Sequence, residues 1–191
     1  GIFVQWLRNT FLGWLLGVVL TIIAILAVDA IGVQGTQFLI GAGMGMGVGY
    51  VQARTVRRLF GESGRWLWVT VLGMALPFVV FDLTRILGAK LGYSLPLCVA
   101  AGGVLVGALQ RGILRLHSER ANWWIPASVV GWLLAAGTVV LNDRYLQEVL
   151  RRNLPGVLGA LIYLGVILSG GLALGAVTGG ALRWMLRTQS S

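Results

Sequence analysis

The side chains best placed to do chemistry are amides, hydroxyls and arginines that recur at fixed spacing. Gly45, Gly49, Gln52 and Arg57 stand at offsets of 0, 4, 7 and 12, and Gly103, Gly107, Gln110 and Arg115 stand at the same offsets. Gly171, Gly175, Thr178 and Arg183 repeat the pattern with Thr in place of Gln. The first three offsets share one face of a helix. A Gly-x-x-x-Gly stripe admits a second backbone at close range, held by van der Waals contact and Cα–H···O bonds. An amide further along that face hydrogen-bonds across helices, for roughly 0.6–2 kcal/mol in a membrane. Two readings follow for Gln52, Gln110 and Thr178: a polar clamp between packed helices, or a polar pocket where the three converge on an axis. Arg57, Arg115 and Arg183 lie about one turn beyond, where they mark a membrane interface and favour the helix C-terminal dipole. Anionic lipid headgroups suit them as partners.

The other reactive groups are sparse. Asp29 and Asp82 lie near the ends of apolar runs, and Asp82 is within helical reach of Arg85. Acids inside a membrane mark function by default, but none falls near the middle of a run, which argues against a proton-driven pump. The single cysteine, Cys98, can close no intrachain disulfide, and a lone His117 makes no metal site. There is no phosphate loop, His-Glu-x-x-His, Cys-x-x-Cys or nucleophile elbow. The string Gly41–Gly49 carries Gly-x-Gly spacing without a preceding strand, so it is no dinucleotide fingerprint, and Met44 and Met46 read as packing. The expectation is a chain with no catalysis of its own, no cofactor and no metal.

The elements that position these groups are apolar. Of 191 residues, 57% are hydrophobic and 11% charged, against about 25% charged in soluble domains. A spanning helix needs about 20 mostly apolar residues. Six runs qualify: Phe11–Val33, Gln37–Val56, Trp66–Leu87, Ser94–Leu114, Trp123–Leu141 and Pro155–Leu186. The first is too long, and too closely tied to the rest by pattern, to be a cleaved signal peptide. Pro155 suits a first helical turn, whereas Pro77 and Pro126 lie within runs, where proline bends a helix. The last run is either one long or kinked helix or breaks near Ser169. Short loops make neighbours antiparallel.

The formal charge of +9 does not point to nucleic acid, because the arginines sit between apolar runs. Arg8, Arg54, Arg57, Arg58, Arg65, Arg111, Arg115, Arg120, Arg183 and Arg187 fall on one side. Arg85, Lys90, Arg144, Arg151 and Arg152 fall on the other. The positive-inside rule puts both termini in the cytoplasm. Trp6, Trp66, Trp123, Trp124 and Trp184 stand at the same ends of the runs, where an aromatic belt would place them.

The odd runs share a second pattern. Trp6, Trp66 and Trp124 precede Gly13, Gly73 and Gly131 by seven residues each. The chain therefore reads as an all-α, polytopic membrane protein of one domain. Six transmembrane helices form three tandem hairpins (about 6–58, 66–116 and 123–187) around a pseudo-threefold axis along the membrane normal. The third hairpin is lengthened around Asn142–Leu154, either as a short amphipathic helix or as a longer loop.

The repeated Gly-x-x-x-Gly-x-x-Gln…Arg, with Trp…Gly, resembles Gly- and Trp-rich multi-span proteins of bacteria. That resemblance implies the bacterial inner membrane. Size and span number also look like the substrate-binding subunits of energy-coupling-factor vitamin transporters; no motif carries that second likeness, and the threefold repeat speaks against it. Two functions are expected from the sequence. One is an integral membrane subunit that packs against partner transmembrane helices or lipids within a larger complex. The other is a small-solute transporter or substrate-binding subunit with a central polar pocket.

Overall fold

The computed structural model describes residues 1–33, 35–61, 64–89, 92, 94–153 and 156–187, without the side chains of Arg151 and Asn153. Pro155 and Lys90, both used in the sequence reading, lie outside the described residues. The described residues form helices: α1 (Ile2–Ala30), α2 (Phe38–Phe60), α3 (Gly64–Ile86), α4 (Leu95–Leu114), α5 (Trp124–Leu141), α6 (Gln147–Asn153) and α7 (Val157–Arg187). A short 3-10 turn, Glu119–Trp123, leads into α5, and a π turn, Asn142–Leu146, leads out of it.

By length and hydropathy, Ile2–Ala30, Gly64–Ile86, Leu95–Leu114, Glu119–Leu150 and Val157–Arg187 can each cross a membrane. At 23 residues α2 has the length. Its glycines and its arginines 54, 57 and 58 make it less apolar than the other five. The last run is unbroken through Ser169, whose hydroxyl donates back to Val166 O. The lengthened segment is helical, as α6, and Arg152 there pairs with Glu148.

Local chemistry sets the helix ends. Gly61, at φ 77°, closes α2 with its N–H on Arg57 O, a left-handed cap that glycine adopts without a Cβ penalty. Pro96 sits in the first turn of α4, where its missing N–H costs nothing. Pro126 occupies the same kind of position in α5, so of the two prolines read as helix-bending only Pro77 is interior. The start of α2 is capped from another helix: Asp82 Oδ2, on α3, accepts from the N–H groups of Gln37 and Phe38 at 2.8 Å each. This corrects the local pairing of Asp82 with Arg85. Two free N–H groups at a helix start attract a carboxylate more specifically than a neighbouring guanidinium does, and Arg85 instead donates to Gly35 O.

Each long helix packs against its neighbours in sequence, and α7 returns to α1, closing a ring in the order α1, α2, α3, α4, α5, α7. Neighbours run antiparallel, since Gly47 abuts Gly13 and Gly17 while Gly43 abuts Thr21. The arginine-bearing ends of the long helices therefore gather at one end of the ring. Two hydrophobic clusters lie inside it. One, around Trp6, Val56, Trp66, Ile113, Trp124 and Leu182, fills the arginine-rich end. The other, around Trp14, Met44, Met74, Phe78, Val99 and Trp132, lies toward the opposite end.

Candidate binding cavity

Trp6, Trp66 and Trp124 meet inside the arginine-rich half. Their ring centroids are 5.8, 5.8 and 5.7 Å apart in edge-to-face pairs, and none is more than 1% exposed. Edge-to-face indoles add attraction beyond the area they bury. This corrects their assignment to an interfacial belt. An indole at the end of an apolar run satisfies its N–H either at the lipid headgroups or from a partner within the fold, and here the partner is internal. Trp66 Nε1 donates to Gln52 Oε1 at 3.2 Å, Trp124 Nε1 to Gln110 Oε1 at 2.7 Å, and Trp6 Nε1 to Thr178 Oγ1 at 2.9 Å.

The same amides reach the other way. Gln52 Nε2 donates to Thr10 Oγ1 at 2.9 Å and Gln110 Nε2 to Thr70 Oγ1 at 2.8 Å. Thr178 is too short for a second link across helices and donates to its own Leu174 O. Asn9 adds a bond to Thr55 at 2.7 Å. Gln52, Gln110 and Thr178 are thus buried in a bonded layer. Sequence reasoning missed Thr10 and Thr70, although each follows its tryptophan by four residues.

The glycines read as packing residues lie on buried helix faces. A Cβ on Gly45 would meet Thr70 and Val71, one on Gly49 would meet Thr70, and ones on Gly103 and Gly107 would meet Val129 and Ile125. On α7, Gly171 and Gly175 face Trp14 and Leu7. All these contacts are within the ring. Arg57, Arg115 and Arg183 are exposed. At the same end Arg120 lies over the Trp184 ring at 4.6 Å.

Beyond the bonded layer, the second hydrophobic cluster borders a cavity. The cavity, of about 720 Å³, runs from the end opposite the arginines to the middle of the helices. Trp14, Trp132, Met44 and Met74 line its deep part, the two indoles 6.2 Å apart. Met44 lies six residues into α2, roughly 9 Å below its first turn. Valines, isoleucines and Ala136 make up much of the wall. Polar groups gather at the mouth: Gln37, Arg85, Ser94, Asp143 and Tyr163. Ser94 Oγ donates to Gln37 Oε1 at 2.6 Å, and Tyr163 Oη to Asp143 Oδ1 at 3.2 Å. Lower on the wall, the buried Thr21 hydroxyl has no hydrogen-bond partner among the described residues. Gln52, Gln110 and Thr178 do not line this cavity.

Volumes of roughly 300–1,000 Å³ with apolar walls and a few polar groups are those of small-molecule sites. Among the described residues no group of His, Cys, Asp and Glu is arranged to hold a metal ion. No protein-family model, curated protein or solved structure matches the chain.

Proposed function

We propose that this chain is a multi-pass membrane protein that binds a small, largely apolar solute in a one-ended cavity, and serves as the binding subunit of a larger membrane complex. The observation that carries the reading is the 720 Å³ cavity, apolar inside and polar at its mouth. The absence of any nucleotide-binding motif from the sequence fits a subunit that holds a solute while a partner drives its movement. The Gly stripes favour this over a purely packing role, because they are occupied within the ring. The arginine-rich end would face the bacterial cytoplasm, with both termini, and the cavity would open outward.

The reading takes α2 as the sixth span, since it stands in the ring between two helices apolar enough to cross. It also takes hairpins α1–α2, α3–α4 and α5–α7 as copies of one design around a pseudo-threefold axis. Supporting this, each of the three tryptophans bonds the even-numbered or last helix before it in the ring, at Gln52, Gln110 or Thr178. The tryptophan layer would then be a plug, making the chain a binder and not a pore.

Native mass spectrometry of the protein released from mild detergent tests the function. A small-molecule adduct is expected on the wild type and not on Ala136→Phe, which fills the cavity. Bare protein in both cases sinks the proposal. Co-purifying membrane subunits are expected in the same preparation.

A further inference from the structure

We infer that the solute is a single-chain membrane amphiphile, bound with its hydrocarbon end inward and a head rich in acceptor oxygens at the mouth; this rests on the binding reading above. Three observations converge on it. The polarity of the cavity is graded along its length: Trp14, Met44, Met74 and Trp132 at depth, then Val18, Val99 and Val139 with the Thr21 hydroxyl, then Gln37, Arg85, Ser94 and the bonded Asp143–Tyr163 pair at the mouth. A compact polar solute would lose its hydration at depth and find few partners, and an unpaired polar group is costly there. A chain loses nothing at depth and leaves only its head to be satisfied.

The mouth supplies donors for that head. A guanidinium carries five N–H donors in a planar fork suited to carboxylate or phosphate oxygens. Arg85 commits one nitrogen to Gly35 O and is otherwise exposed at the mouth.

The third observation is the route. Ile22 lines the cavity and is 52% exposed. It lies eight residues before the end of α1 at Ala30, roughly 12 Å along the helix, at hydrocarbon depth in the membrane reading. Ile22 and its neighbours on α1 would then stand between the cavity and the surrounding lipid. The outer half of α1, carrying Ile22, Ile23 and Leu26, is well exposed. An amphiphile already in the bilayer can pass this edge without its chain crossing water.

The test uses two stearates, one carrying a nitroxide near its methyl end and one near its carboxyl, added to the purified protein in nanodiscs. The floor signal is the fluorescence difference between wild type and Trp14→Phe/Trp132→Phe. Saturable quenching of this signal is expected, stronger for the methyl-end label. It should be lost in Ala136→Phe or, should that variant not fold, in Val99→Phe. Arg85→Gln should weaken binding roughly tenfold, the loss of a charge-assisted hydrogen bond. Stronger quenching by the carboxyl-end label, or equal quenching in wild type and filled variants, overturns the inference. Indole, a compact solute, separates the two failures. If indole binds saturably and the filled variant abolishes it while stearate does not bind, the amphiphile falls and the cavity stands. If neither binds, both fall.

Discussion

Gln110 uses both ends of one amide, its oxygen accepting from Trp124 on α5 and its nitrogen donating to Thr70 on α3. Replacing it with Leu leaves a buried indole N–H without its acceptor and removes both links across helices. Gln110→Leu should lower stability by about 1–3 kcal/mol, read as the shift in thermal unfolding in detergent. Thr178→Val removes only one link across helices, to Trp6, and should cost less; an equal or larger loss would refute this account of the layer. Asp82 gives a second residue-level prediction. Asp82→Ala uncaps α2, which should cost about 0.5–2 kcal/mol and speed hydrogen exchange at the Phe38 amide, while Asp82→Asn keeps an acceptor and should cost less. Unchanged exchange in Asp82→Ala would mean the cap contributes nothing. The fixed offsets made Gln52, Gln110 and Thr178 visible in the sequence. Their tryptophan partners were visible too, since Trp66 follows Gln52 by 14 residues and Trp124 follows Gln110 by 14. What the sequence could not convey is that Trp6, Trp66 and Trp124 point inward, because an indole at the end of an apolar run has equally good partners at the headgroups.

The helix most revealing of its neighbours is α2. Its glycines alternate with larger residues from Gly41 to Gly49, and two residues along a helix turn the chain by about 200°. Gly41, Gly45 and Gly49 therefore face α3, at Met74, Thr70 and Val71, while Gly43 and Gly47 face α1, at Thr21, Gly13 and Gly17. A helix in a closed ring has two close neighbours and needs two thin faces. The sequence reading caught the face at Gly45 and Gly49 because it recurs in α4 and α7, and missed the Gly47 face. A Cβ on Gly47 would fall 2.2 Å from the Gly17 backbone nitrogen, whereas one on Gly180 meets nothing within 4 Å. Gly47→Ala must push α1 and α2 apart and should cost about 1–3 kcal/mol. Gly180→Ala should be neutral or stabilise by up to about 1 kcal/mol through helix propensity. Denaturation of the two variants side by side checks this, and a tolerated Gly47→Ala would refute the close approach.

In the whole molecule, six helices in a ring leave an axis that side chains must fill. At the arginine-rich end three indoles do so. At the other end Val18, Val99, Ala136 and Val139 are among the small side chains of the wall, and a cavity remains between the helices. The long apolar helices and the arginine imbalance were legible because each is a property of the chain alone. The cavity was not, since it arises from what six separate segments fail to fill together. Its one-endedness gives a prediction about access. In a Cys98→Ala background, Ala136→Cys places a lone thiol on the cavity wall. A membrane-impermeant maleimide should label it from the side opposite the arginines, and added ligand should slow that labelling. From the arginine-rich side the reagent meets three packed indoles above a bonded amide layer, so labelling in vesicles of inverted orientation should be slow. Fast labelling from both sides would mean that the tryptophan layer opens, and would turn the binding site into part of a conduit. Labelling only from the cytoplasmic side would reverse the orientation drawn from the arginines while leaving the one-ended cavity in place.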